Sequence, residues 1–297
     1  MTPSNSTHDE STARPGALPP PGADLDSTAH LMNRISSQLA TQLSLVSLDG
    51  RRRPEPPALV VVAHGSRDPR ALSTVNELLD TVRALRPGLP VHLGHIELNA
   101  PLLTDTLASL GDREAVLVPL LLSRGYHVKR DIPEMAAATR VRARLAPALG
   151  PHPLLVDALH DRLLEAGWDD SARAGGAVVL AAAGSRDPES KVDTGRTAQL
   201  LSARLGVPVV PAYATTAAPR VPDAIKALED SGRTRVAVAS YFTAPGRFAT
   251  ECAQAAPWIA SAPLGTHPAM ADLLLARYDL TARRTNAHSG TRPALAV

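Results

Sequence analysis

The sequence states one phrase twice. Residues 58–69 read ALVVVAHGSRDP and residues 177–188 read AVVLAAAGSRDP, with GSRDP identical. Residues 91–110 (VHLGHIELNAPLLTDTLASL) align without gaps to residues 209–228 (VVPAYATTAAPRVPDAIKAL). Residues 116–125 (VLVPLLLSRG) align to 237–246 (AVASYFTAPG), and the segment opening GPHP at Gly150 is echoed by one opening GTHP at Gly265. Matches that keep one order are the mark of a tandem duplication, in which a single structural unit is built twice. The copies span residues 58–170 and 177–280, joined by a linker, SARAGG, at 171–176.

Each copy alternates apolar runs with helical spacing. Residues 59–62 are apolar and β-branched without polar alternation, the pattern of a strand covered on both faces of a parallel sheet. Gly65 and Pro69 break that strand, and residues 71–85 take up helical spacing. In the first copy, further strands are predicted at 91–96, 115–122 and 154–156, and helices at 102–110, 131–145 and 159–165. Such alternation specifies an α/β class: two tandem domains, each a mainly parallel sheet with helices on both faces. Loops at the carboxyl edge of such sheets are where ligands bind.

The flanks read differently. Residues 1–57 form an extension of disordered composition, with a loose apolar stripe at Leu31, Ile35, Leu39 and Leu43 that predicts a short helix over 27–48. Residues 281–297 return to disordered composition. No run approaches the roughly 18–20 apolar residues of a membrane helix. The first residues lack a basic stretch followed by an apolar core, and a single cysteine, Cys252, fits a reducing compartment. A cytoplasmic location is therefore expected. Aromatics at 3% and a net charge of +2 argue against nucleic-acid or membrane partners.

Comparing the copies locates the chemistry. His64 faces Ala183, Glu97 faces Thr215 and His127 faces Phe248, while Gly184 and Gly246 keep the backbone signals. Each of the three first-copy residues follows a predicted strand, so a parallel sheet brings them to one edge. Taken singly, a histidine after a strand is commonly a hydrogen-bonding loop residue, and an isolated glutamate is commonly solvated. Joint presence in one copy and joint absence in the other favour function, making the first copy the active one and the second its scaffold. Imidazoles suit borderline divalent metals, and a carboxylate beside them can accept protons. Three such side chains leave coordination positions open, as a catalytic or transient site requires. His95, close to Glu97, is a further candidate. His92 is expected on a helix-covered face, His152 and His267 in equivalent turns, and His160 on a helix surface. The GSRDP loop lacks the lysine and glycine spacing of a phosphate loop, and no nucleophile elbow surrounds Ser66.

The motifs AHGSRDP at 63–69, HIELNAP at 95–101 and VPLLLSRGYHVKRDIP at 118–133 resemble the sirohydrochlorin chelatases, class II chelatases that insert a divalent metal into a tetrapyrrole. The resemblance covers about residues 58–280 in tandem form. It implies a chelatase-type fold with sirohydrochlorin in a cleft between the two halves. It further implies that His64 and His127 hold the metal and that Glu97 is the acidic residue accepting pyrrole protons. The substrate's carboxylates call for cations, and Arg67, Arg124, Lys129 and Arg130 stand beside the histidines, with Arg186 and Arg247 nearby in the second copy. Ser66 offers hydroxyl and amide donors. The second copy departs from the pattern by lacking both histidines, so one metal site is expected. No cofactor is implied beyond the substrate ion, Fe2+ or Co2+. Iron, giving sirohaem, is the preferred reading. A cobaltochelatase of the cobalamin route and a non-catalytic tetrapyrrole or metal carrier are the alternatives, and a carrier has no use for Glu97. The fused chain is expected to be a monomer or weak homo-oligomer.

Overall fold

The computed structural model describes residues 55–286; the extension, its expected helix at 27–48 and the final residues lie outside that span. The first copy opens with β1 (Ala58–Ala63), every residue of which is buried. Asp68 ends the following loop by accepting a hydrogen bond from the Arg70 amide at 3.0 Å, and with Pro69 at the first helical position it starts α1 (Pro69–Leu85). Next come β2 (Val91–His95), α2 (Leu103–Ser109) and β3 (Ala115–Pro119). A π-helical turn, His127–Asp131, runs into α3 (Ile132–Ala137), followed by β4 (Ala143–Leu145) and α4 (Pro153–Glu165).

After a short 3-10 turn the second copy follows the same order without a counterpart of β4, as β5 (Gly176–Ala182), α5 (Pro188–Leu205), β6 (Val209–Tyr213), α6 (Val221–Asp230), β7 (Arg235–Tyr241), α7 (Arg247–Gln254) and α8 (Pro268–Asn286); an isolated bridge from Val238 to Ala260 stands in the place of that strand. Asp187 caps α5 as Asp68 caps α1, accepting from the Glu189 amide at 2.9 Å. Both sheets are parallel, with strand orders β2-β1-β3-β4 and β6-β5-β7.

Two expectations for the first copy fail. Residues 131–145 are not one helix: α3 ends at Ala137, and Ala143–Leu145 form a strand that pairs Ala143 with Ala115. Residues 154–156 are not a strand but the start of α4, whose buried Leu155, Val156, Ala158, Leu159 and Leu163 follow the helical period. The last helix also runs on through Asn286, past residue 281 where composition turns polar.

Strand alternation sorts the core into layers. In β1, Val60 and Val62 face outward against Leu103, Leu107 and Ile132 of α2 and α3. In β5, Val179 and Ala181 face outward against Val221, Ile225, Leu228 and Cys252 of α6 and α7. Leu59 and Val61 of the first sheet, with Val178 and Leu180 of the second, face one shared core that also takes α1, α4, α5 and α8. Within it the terminal helices are exchanged: α8 packs on β3 and α1, whereas α4 packs on β7 and α5. The exchange is reciprocal. Arg162 Nη2 donates to the Leu264 carbonyl at 3.2 Å, and its counterpart Arg277 Nη2 donates to the Leu149 carbonyl at 2.8 Å. Fully buried leucines at this seam, such as Leu159 and Leu273, each contribute about 1.5–3 kcal/mol.

Four further histidines lie in the folded body. His152 and His267 cap α4 and α8, their Nδ1 atoms accepting from the Leu154 and Ala269 amides at 3.2 Å. His95 is buried with its Nδ1 3.2 Å from the Pro101 carbonyl, and it borders the cleft described below. His92 is half-buried. Burial holds the pKa values of His92, His95 and His152 below the ordinary 6.5, helped at His92 by Arg113 and Arg83 and at His152 by Arg277. Below pH 6.5 the unfolded chain therefore takes up protons that the folded chain resists, and stability falls with pH. Thermal unfolding followed from pH 7.5 to 5.5 should show a falling Tm below about 6.5, flattened in His95→Gln.

Candidate functional site

The carboxyl ends of both sheets open onto one cleft of about 1370 Å³. From the first copy it takes the loops after β1, β2 and β3; from the second, the loops after β5, β6 and β7. The loops after β1 and β2 are pinned together by backbone. The Glu97 amide donates to the His64 carbonyl at 3.1 Å, and Gly65, at φ 105°, passes so close that a Cβ there would lie 1.9 Å from the Glu97 carbonyl oxygen. Gly184 makes the same approach to Thr215 in the second copy, so the crossing belongs to the fold. Asn99 completes the turn, its Oδ1 accepting from the Ser66 amide at 2.6 Å.

This crossing sets His64 beside Glu97, with His64 Nε2 3.5 Å from Glu97 Oε1. His127 arrives on the turn after β3 and meets His64 edge to face, ring centroids 4.6 Å apart at 88°. The three residues singled out from the sequence thus stand together. Glu97 is 54% exposed and stands at the rim, outside the cleft lining. Among the described residues no three His, Cys, Asp or Glu side chains are gathered as a preformed metal centre.

Both ring nitrogens of His64 face acceptors: Nδ1 lies 3.3 Å from the Gly65 carbonyl and Nε2 lies 3.5 Å from Glu97 Oε1. His127 Nδ1 lies 2.5 Å from Asp131 Oδ2, and a carboxylate there takes the Nδ1 proton and leaves Nε2 for a ligand. Asp131 was not singled out as a site residue from the sequence, although its spacing of four residues on a helical turn is the signal that reveals it. Asn99 gave no such signal.

The cations fare unevenly. Arg67 is exposed and lines the cleft; its neighbour Asp68 is taken by Arg70, Nη2 to Oδ2 at 2.7 Å. Arg124 lines the cleft but is tied to Asp193, Nη2 to Oδ1 at 2.6 Å. Lys129 reaches Asp187 at 2.7 Å and Glu189 at 2.8 Å. Its hydrogen bond is the main reason that the Asp187 carboxyl sits below the ordinary carboxylate range. Arg124 and Lys129, expected to meet substrate carboxylates, are thus neutralised by the second copy. Arg130 is exposed and outside the lining, as Arg186 is. Ser66 Oγ is engaged in its own loop, accepting from the Asp68 amide at 3.1 Å. The opposite wall is apolar where the first copy has histidine: Phe248 takes the place of His127 and carries the Arg247 guanidinium 4.7 Å above its ring. Among the described residues no helix is long and apolar enough to cross a membrane.

A duplicated α/β chain whose halves share a cleft, with two imidazoles and a carboxylate on one side only, has the architecture of a tandem chelatase. The CbiX family model matches residues 58–166 and 177–281, and the chain belongs to the CbiX family. It is 31% identical over 189 residues to the sirohydrochlorin ferrochelatase of Bacillus subtilis, covering 60% of this chain and 70% of that one. It is 33% identical over 81 residues to the sirohydrochlorin cobaltochelatase of Methanococcus maripaludis, covering 26% of this chain and 56% of that one. Among solved structures, SirB from Bacillus subtilis with Fe3+ superposes with a TM-score of 0.64 at 26% identity, covering 77% of this chain and 97% of that one.

Because Gly65 allows the loop crossing, Gly65→Ala should displace the Glu97 carbonyl and separate His64 from Glu97. Its expected signature is a Tm several degrees lower, from a loss of about 1–3 kcal/mol, while Gly88→Ala, at a glycine with no atom within 4 Å of its added Cβ, loses less.

Proposed function

We propose that this chain is a sirohydrochlorin chelatase that inserts a divalent metal into the tetrapyrrole at its first-copy site, the second copy acting as scaffold. The observation that carries the reading is the meeting of His64, His127 and Glu97 at the mouth of the cleft of a chain that belongs to the CbiX family. In this reading His64 and His127 offer their Nε2 atoms to an incoming ion. His64 Nε2 and the Glu97 carboxylate are satisfied together by a shared proton or by a cation that displaces it. Insertion demands both in turn: an ion held loosely, then a base for the two pyrrole protons it displaces. Glu97, exposed at the rim, can pass those protons to water. Among the cleft-lining cations, Arg67 on one wall is offered to the substrate's carboxylates, and Arg247 on the other would have to share its pair with Glu251, Nε to Oε1 at 3.2 Å.

Iron is the metal this reading prefers. The match to the Bacillus subtilis ferrochelatase runs over 189 residues, whereas those to the cobaltochelatases span 80 to 123. Both walls of the cleft come from one chain, which suits a monomer or weak homo-oligomer. No resident cofactor enters the scheme.

The test follows sirohydrochlorin absorbance with Fe2+ or Co2+ against the uncatalysed reaction. His64→Ala and His127→Ala should fall to the blank. Glu97→Gln should bind pigment and metal yet lose about 100-fold or more in rate, and Asp131→Asn should weaken metal binding by about 10–100-fold. A wild type that binds the pigment but never exceeds the blank would instead be a carrier. Faster turnover with Co2+ would make it a cobaltochelatase.

A further inference from the structure

The loop that delivers His127 is held by side chains of the other copy. Between β3 and α3, the Leu122 carbonyl accepts from the Tyr241 hydroxyl at 2.9 Å, and Ser123 Oγ lies 2.9 Å from Ser190 Oγ. Arg124 then closes on Asp193 of α5 through three groups. Its amide donates to Oδ2 at 2.8 Å, its Nε to Oδ2 at 2.9 Å and its Nη2 to Oδ1 at 2.6 Å. The Asp193 side chain is only 3% exposed, so its carboxylate depends on this arginine for compensation. Lys129, two residues past His127, adds its pair with Asp187 and Glu189.

The duplication supplies an internal control. Where α5 has Ser190 and Asp193, α1 has Ala71 and Thr74; where the His127 loop has Ser123 and Arg124, the Phe248 loop has Ala244 and Pro245. Leu120 stands in the place of Tyr241. The reciprocal clamp has no side chains to build it. Shared ancestry would place the same contacts on both sides, and they exist only where the held loop carries a histidine.

We propose that the second copy positions the His127 loop, with Asp193 as the positioning residue acting through Arg124. The inference rests on the functional reading above and deepens it: the repeat without metal donors sets the geometry of the repeat that has them. Arg124 and Lys129 accordingly serve the loop, not the substrate's carboxylates.

The experiment compares the full chain with Asp193→Asn, with the conservative Asp193→Glu, and with the neutral pair R124Q/D193N, which removes both charges should the single variant not fold. Two quantities are read without tetrapyrrole: amide hydrogen exchange over residues 123–131, and Co2+ affinity from the visible spectrum of the bound ion. Asp193→Asn is expected to speed exchange in that segment and weaken Co2+ binding about tenfold, with Asp193→Glu recovering part of both. If either quantity in the folded neutral variant stays within about twofold of wild type, as an incidental surface change would, the proposal is overturned. A wild type that binds Co2+ but metallates no sirohydrochlorin refutes the proposed function and leaves this test intact.

Discussion

Everything in the described chain depends on two sheets burying their inner faces against each other's terminal helices. Leu59 and Val61 in one sheet, and Val178 and Leu180 in the other, look into a common apolar layer. The helix that ends the first copy covers the second sheet, and the reverse holds for α8. Neither copy carries the surface needed to close its own core. The cleft follows from this arrangement, because two sheets joined through their inner layers bring their carboxyl edges to one opening. Erosion of the second copy's chemistry leaves the molecule intact, whereas loss of its body would strip the cover from β3.

Within that frame the site is made by backbone before side chains. A glycine crossing under a carbonyl brings two loops into contact, and the residues flanking the crossing are His64 and Glu97. The second copy keeps the crossing at Gly184 and Thr215 while presenting no donor there. Geometry and side-chain chemistry are thus separable in one chain: the fold repeats, while aligned positions carry His64, Glu97 and His127 in one copy and Ala183, Thr215 and Phe248 in the other.

The duplication, the parallel sheets and the meeting of the three candidate residues were legible in the sequence because each leaves a local trace. Buried parallel strands read as unbroken β-branched runs, the caps as GSRDP, and the candidate site as a difference between aligned copies. What failed to show was non-local or ambiguous. Residues 141–145 alternate over too short a run to outweigh the helix-forming alanines before them, and Pro153 with His152 turned an apolar triplet into a helix start. The fate of Arg124 and Lys129 was invisible because their carboxylate partners lie in the other copy, more than fifty residues away. The helix exchange was hidden for the same reason: periodicity says that a face is buried, and nothing about whose core receives it.

The replacement of His127 by Phe248 makes the two walls of the cleft chemically unlike. On the functional reading proposed above, a flat ligand seated between them would have one face toward the His64 and His127 rings and the other toward an arene that carries a guanidinium. An ion held by the histidines would be handed over from the first side, so the cleft would impose a facial sense on the planar molecule it holds, a stereochemical bias that a symmetric pair of identical repeats could not supply.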